Sequence, residues 1–452
     1  MGMADDLSSR DATALWHPAT HFGDLERLPP STITRAKGVW LFDADGKRIL
    51  DGIASWWTSI HGHCHPDIVA AIAEQAGRLD HVMFAGFTHP SAVELAERLL
   101  KLAPPGYGKV FYADCGSAAI EVALKLSFQS RRQTGEPKRT RFAALHGGYH
   151  GETLGALAVS GADDYRGIFA GLLTEPLYLP APEFRWHEHA MLQTDAGADS
   201  EAADQAVALL REHADGLTAL VVEPLIQCAS KMRMHGVGYY QRIVREAQAL
   251  GIHVIADEIA VAFGRTGRLF ASSWADVTPD LMCLSKGLSG GVLPLSCVLV
   301  RQGFEEAFTG SPARSFLHSH TFTGNPIATA AGVASIKLLT EGGGLDALPE
   351  RIEALARCRR RVAERCAAVV DHRQAGMIAA LTVAPAPGQP GPPGGRISLA
   401  LREAAMAAGV LLRPLHDTIY WMPPYCIDDA ALDLLTEVTI EAIESVFPGP
   451  KA

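Results

Sequence analysis

Lysine is scarce in this chain: only ten of its 40 basic side chains are lysine, and the 50 acids leave a net charge of −10. Nucleic acids and anionic membranes reward a basic face, and neither a basic run nor a basic patch interleaved with aromatics occurs. No apolar run approaches the length that crosses a bilayer. The 8 cysteines form no CxxC pair, which fits a reducing compartment and buried thiols rather than a disulfide scaffold. The start, Met1-Gly2-Met3-Ala4-Asp5-Asp6, is acidic and lacks an apolar stretch, so it does not read as a secretory signal, and Asp6 stands where a myristoylation motif needs Ser or Thr. The expected location is the cytoplasm. Neither GxGxxG nor a Walker A sequence is present, so dinucleotide and nucleoside-triphosphate binding lose support.

What is present is an ordinary globular composition, 48% hydrophobic and 20% charged, over 452 residues, enough for two or three domains. Val39-Trp40-Leu41-Phe42 and Arg48-Ile49-Leu50 flank Asp45-Gly46 and read as a hairpin. Pro66 opens a helix with Ile68, Val69, Ile72, Ala76 and Leu79 on one face. From about residue 109, short continuous apolar runs alternate with helical stretches: 109–112, 217–222, 253–256, 281–284 and 297–300. Runs without alternation are strands buried on both faces, as in a mostly parallel α/β sheet. After Gly342–Gly344 an amphipathic helix carries Leu345, Leu348, Ile352 and Leu355, and the Pro/Gly stretch 384–395 reads as a surface loop. The outline is a large α/β domain over residues 56–344 and a smaller α+β domain built from both chain ends, 1–55 and 345–452.

Ligands of open α/β sheets bind at the carboxyl ends of strands. Three apolar runs end there in charge: 217–222 in Glu223, 253–256 in Asp257 and 281–284 in Lys286. Any one alone reads as a solvated strand end, but three on neighbouring strands would share one crevice. Lys286 is the only lysine that follows an apolar strand and precedes a glycine-rich turn, Gly287-Leu288-Ser289-Gly290-Gly291. A desolvated lysine has a lowered pKa, as Schiff-base chemistry requires, and a carboxylate on the next strand suits the ring nitrogen of pyridoxal phosphate (PLP). Asp257 fits that role. Gly116-Ser117, between the 109–112 strand and a helix, offers backbone N–H groups and a hydroxyl for a phosphate, although Gly-Ser before a helix is more often only a cap.

Lys286, the Asp257-Glu258-Ile259 step, Phe263-Gly264-Arg265-Thr266-Gly267 and Thr323-Gly324-Asn325-Pro326 together resemble the class III, fold-type I PLP aminotransferases over nearly the whole chain. Trp16-His17-Pro18, Ser55-Trp56-Trp57, His81-Val82-Met83-Phe84, Tyr149-His150-Gly151 and Tyr420-Trp421-Met422-Pro423-Pro424-Tyr425 resemble the branch of that family that aminates 8-amino-7-oxononanoate in biotin synthesis. The resemblance implies a homodimer with PLP, phosphate contacts from Gly116 and Ser117, and Thr321 reaching the phosphate from the second subunit. It implies Tyr149 stacked on the ring, Asp257 at the ring nitrogen, Glu223 supporting it and Lys286 as covalent attachment and proton shuttle. For the substrate it implies Trp56 and Trp57 as apolar walls, Arg413 on a carboxylate and Tyr420 as a positioning group.

From composition alone Trp56-Trp57 would be core and Arg413 would as readily be a structural ion pair. The cluster His61-Gly62-His63-Cys64-His65 resembles a metal site but lacks a downstream pair at ligand spacing, so no metal is expected. Residues 183–189 read as a solvated loop. Two positions depart from the family pattern: Ala19 replaces an aromatic residue, and His318-Ser319-His320-Thr321 replaces His-Gly-Pro-Thr. Both bear on the amino donor, which is S-adenosylmethionine in most such enzymes and lysine in some; the Trp pair and Met422-Pro423-Pro424-Tyr425 favour the former. The rivals are an ω-aminotransferase of 4-aminobutyrate, ornithine or polyamine type, a PLP aminomutase, and a PLP-binding transcription regulator. The last needs an N-terminal winged helix, for which about forty residues before the hairpin are too few.

Overall fold

The computed structural model describes residues 3–182, 196–386 and 391–448. Its centre is a seven-stranded sheet in the order Tyr107–Ala113, Ser296–Arg301, Leu281–Leu284, His253–Asp257, Leu217–Val222, Arg141–Leu145, Leu177–Leu179. All neighbours run parallel except Ser296–Arg301, which is antiparallel to the strands on both sides. The apolar runs explain the placement, because every residue of Leu217–Val222 and Leu281–Leu284 is buried. A side chain so buried contributes roughly 1.5–3 kcal/mol. The strands at 141–145 and 177–179 escaped the patterning; the second has only three residues, too few to show a period.

Helix Gly116–Gln133 leaves the edge strand after two residues and packs across the inner strands. On other elements, helix Pro326–Thr340 packs against helices Pro66–Arg78 and Pro90–Leu102.

The two ends of the chain meet. Strand Val410–Leu411 pairs in parallel with Arg48–Asp51, extending the hairpin Trp40–Asp43/Arg48–Asp51 and its neighbour Ile33–Lys37 into a four-stranded sheet. A three-stranded antiparallel sheet (Val369–Ala375, Ile378–Val383, Thr418–Trp421) shares one apolar core with helices Leu348–Arg365, Ile397–Ala407 and Asp429–Val446.

Two expectations need correction. The supposed apolar face of helix Pro66–Arg78 buries only Ile68; Val69 and Ala76 are exposed, because the helix meets its own chain along a narrower stripe. Leu345 lies before its helix, which begins at Leu348 with Pro349 in the first turn, where the missing N–H costs nothing. Residues 183–189 lie outside the described ones, as does 387–390 of the 384–395 loop. No described helix is long and apolar enough to cross a membrane.

Candidate active site

Strand register brings the charged strand ends together. Ala256 pairs with Val222 and Asp257 with Cys283, so Glu223, Asp257 and the Ser285-Lys286 step emerge side by side. They line a cavity of about 180 Å³ together with Gly116, Ser117 and Tyr149. Removal from water holds the Lys286 amine below lysine's ordinary range, against the opposing pull of Asp257, Cys228 and Glu223. Burial, with Asp257 nearby, pushes Glu223 well up. Its oxygens accept from the backbone N–H of Tyr149 (3.0 Å) and Cys228 (3.1 Å).

Asp257 is oriented from behind. One oxygen accepts from the Ile259 N–H at 3.1 Å, and the other lies 2.8 Å from Nδ1 of His150, with both side chains buried. His150 was legible only as the middle of Tyr149-His150-Gly151; its contact with Asp257 spans 107 residues of chain. The Gly116-Ser117 end of the cavity is equally close-built. Gly151 has φ +120°, and a Cβ there would come within 2.0 Å of the Ser117 hydroxyl, so only glycine fits. Ser117 Oγ accepts from the Glu152 N–H at 3.2 Å, at the N-terminus of helix Gly116–Gln133.

The tryptophan pair sits on strained backbone. Ala54, Ser55, Trp56 and Trp57 all have positive φ, from 45° to 75°. A left-handed conformation costs an L-residue roughly 1–2 kcal/mol, and such strain persists only where surroundings impose it. Asp51 does so here: its buried carboxylate accepts from the Ile53 N–H (3.2 Å) and the Ser55 hydroxyl (2.8 Å), and His63 braces it at 2.8 Å. The turn splits the pair. Trp57 is buried, its ring 4.9 Å from the Lys286 Nζ, while Trp56 is 43% exposed and carries the Arg413 guanidinium over its ring at 4.7 Å. Neither tryptophan is therefore merely core.

A second space of about 440 Å³ continues from Lys286 and Tyr149 past both tryptophans to Tyr420, Arg413 and Ala19. Arg413 donates to the Ala19 carbonyl at 2.8 Å. The ring of Tyr420 meets the edge of Trp57 at 6.0 Å. The sequence reading missed Glu152, which accepts from the Tyr149 hydroxyl at 2.8 Å, and the pocket's Arg396 and Arg402. No motif marked these arginines among the many in the chain.

Thr321 lines neither space in its own chain. It is exposed, beside His320, which lies 2.8 Å from Asp114, two residues before Gly116. In the histidine cluster, His61 lies 3.0 Å from the Ser335 hydroxyl and His63 is paired with Asp51; no group of three or more potential ligands able to hold a metal occurs among the described residues.

Residues 24–443 match the family model of the class-III aminotransferases. The chain belongs to that family. It is 38% identical over 447 residues to the adenosylmethionine-8-amino-7-oxononanoate aminotransferase of Geobacter sulfurreducens, covering 98% of each chain. The corresponding protein of Synechococcus elongatus is 39% identical over 438 residues, covering 94% of this chain and 99% of its own. Among solved structures, the like-named enzyme of Methanocaldococcus jannaschii superposes with a TM-score of 0.90 at 27% identity, covering 98% of this chain and 99% of its own. An amine transaminase from an uncultivated Pseudomonas species, in a PLP-bound form, does so at 0.86 and 30%, covering 96% and 99%.

This class-III aminotransferase is thus a PLP-dependent transaminase of fold type I. The cavity's own chemistry fits that cofactor. It offers an amine of lowered pKa, a braced carboxylate, an aromatic ring and a helix N-terminus, which match a carbonyl, a ring nitrogen, a ring face and a phosphate.

Proposed function

We propose that the enzyme aminates 8-amino-7-oxononanoate to 7,8-diaminononanoate in biotin synthesis, with S-adenosylmethionine as donor. The observation that carries the reading is the apolar run from Lys286 along Trp57 and Trp56 to Arg413, which suits a long chain with a reacting ketone at one end and a carboxylate at the other. The names of the relatives support it.

When bound, PLP supplies an electron sink for the carbanion formed at the substrate carbon. Lys286 would hold the cofactor through its Nζ, and the same Nζ, with its lowered pKa, would take and return the proton at the substrate carbon. Asp257, held by His150, keeps the ring nitrogen protonated, and Glu223 supports the same region. Gly116, Ser117 and the helix N-terminus bind the phosphate, and Tyr149 covers the ring. Trp56 and Trp57 exclude water from the chain of the acceptor, Arg413 takes its carboxylate and Tyr420 positions it.

The working unit is a homodimer in the cytoplasm. Met83, Phe87, Leu317 and Phe322 are each more than half exposed, and the two segments adjoin through the His81–Phe322 ring contact at 5.1 Å. An apolar patch of that kind beside Thr321 suits a second copy, which would receive Thr321 at its phosphate. The large domain is 56–344, with 1–55 and 345–452 forming the smaller one.

The second reading is an ω-aminotransferase of another amine, favoured by the likeness to the Pseudomonas amine transaminase. Offering 8-amino-7-oxononanoate with S-adenosylmethionine, lysine, ornithine, 4-aminobutyrate and putrescine, and weighing the products by mass spectrometry, separates the readings. The expected result is 7,8-diaminononanoate with S-adenosylmethionine. Product with lysine instead would reassign the donor, and none with any donor would overturn the reaction.

A further inference from the structure

The substrate pocket holds more positive charge than its own acids neutralise. Arg396, Arg402 and Arg413 all line it. Arg396 is already engaged in a two-pronged pair with Asp24, one arm at 2.6 Å. Among the described residues Arg413 has only a neutral acceptor, the Ala19 carbonyl. Arg402 has its Nε buried with no hydrogen-bond partner among the described residues. Burial, and then the neighbouring charge of Arg413, push its guanidinium down, while Asp24, the acid acting on it, is held by Arg396. The other carboxylate in the pocket, Glu152, is occupied by the Tyr149 hydroxyl near Lys286. Two adjacent, partly desolvated guanidiniums are unfavourable unless an anion joins them, and among the described residues neither Asp24, taken by Arg396, nor Glu152, bound to the Tyr149 hydroxyl, forms an ion pair with them.

The two arginines arrive from different elements. Arg402 lies on helix Ile397–Ala407, and Arg413 follows strand Val410–Leu411. The indole pair separates Arg413 from the reacting amine, since Trp57 faces Lys286 and Trp56 faces Arg413. We propose that Arg402 joins Arg413 in a two-guanidinium clamp for the carboxylate at the far end of the acceptor chain, which makes Arg402 a specificity-determining residue. The acceptor's identity rests on the function proposed above; the clamp itself requires only a long oxo acid.

The test compares each acceptor with its methyl ester, using 8-amino-7-oxononanoate and, independently, 9-oxononanoate, in single-turnover reactions of wild type, Arg402→Gln and Arg402→Lys. Wild type should favour each acid over its ester. Arg402→Gln should raise the half-saturating concentration of the acids about ten- to a hundredfold, leave the maximal rate within about threefold and leave the esters unchanged; Arg402→Lys should recover part of the loss. Equal losses on acid and ester, or an unaltered preference for the acid in Arg402→Gln, would overturn the clamp. So would a wild type indifferent to the carboxylate. Failure of 8-amino-7-oxononanoate alone would count against the proposed reaction, while the 9-oxononanoate pair would still decide the clamp.

Discussion

The cavity proposed for the cofactor and the pocket proposed for the substrate share Tyr149, Trp57 and Lys286, yet they are built on opposite principles. In the cavity the carboxylates and the imidazole answer one another within the chain: Asp257 is held by His150 and Ile259, and Glu223 by two backbone N–H groups. In the pocket, segments at 19–24, 56–57 and 396–420 converge, and among the described residues Arg402 and Arg413 form no ion pair. A site whose polar groups are already oriented suits chemistry common to every turnover. A site with uncompensated charge suits selection, because a ligand lacking the matching group leaves that charge unpaired.

That contrast predicts which half-reactions each substitution disturbs. The largest effect should come from Asp257→Asn, which retains the shape but not the charge. Both half-reactions should slow together by about 10²–10³-fold, with PLP still bound as judged by visible absorbance. Loss confined to one half-reaction would mean the cavity is not the shared engine.

Arg413→Ala should be milder and one-sided. The half-reaction with 8-amino-7-oxononanoate should weaken about ten- to a hundredfold, and that with S-adenosylmethionine, whose sulfonium is positive, should be disturbed less. Single-turnover absorbance traces of the two halves measure this. Equal losses would show that Arg413 serves both substrates or the fold.

A third effect concerns stability alone and lies behind the cavity. His235 is fully buried, donates from Nε2 to the Glu223 carbonyl at 2.9 Å, and is pushed down from 6.5 to about 4 by burial. The unfolded chain therefore takes up this proton first as acid is added. Stability present above about 6.5 is lost as the pH falls toward about 4, at a slope of roughly 1.4 kcal/mol per pH unit. Denaturant titrations across that window should show a gentler slope for His235→Gln by about that amount. An unchanged slope would place the titrating group elsewhere.

Much of the cavity was legible because its residues lie at the ends of apolar runs. Glu223, Asp257 and Lys286 each follow a buried strand, and neighbouring parallel strands bring their carboxyl ends level. His150 was not, since its role depends on a contact 107 residues away. The pocket was legible only through motif resemblance. Nothing local sets Arg413 and Arg402 apart from other arginines, and Trp56-Trp57 reads as core until its backbone is seen to turn left-handed and point the two rings to different tasks.

The sequence by itself determined the α/β alternation, the placing of Lys286 and Asp257 at neighbouring strand ends and the family, because strand burial leaves continuous apolar runs and the motifs stand in order. Tertiary structure alone decided which charges are neutralised. Arg396 meets Asp24 across 372 residues, whereas among the described residues the Arg402 Nε is buried with no hydrogen-bond partner, and charge pairing depends on distance in space, which sequence separation does not encode.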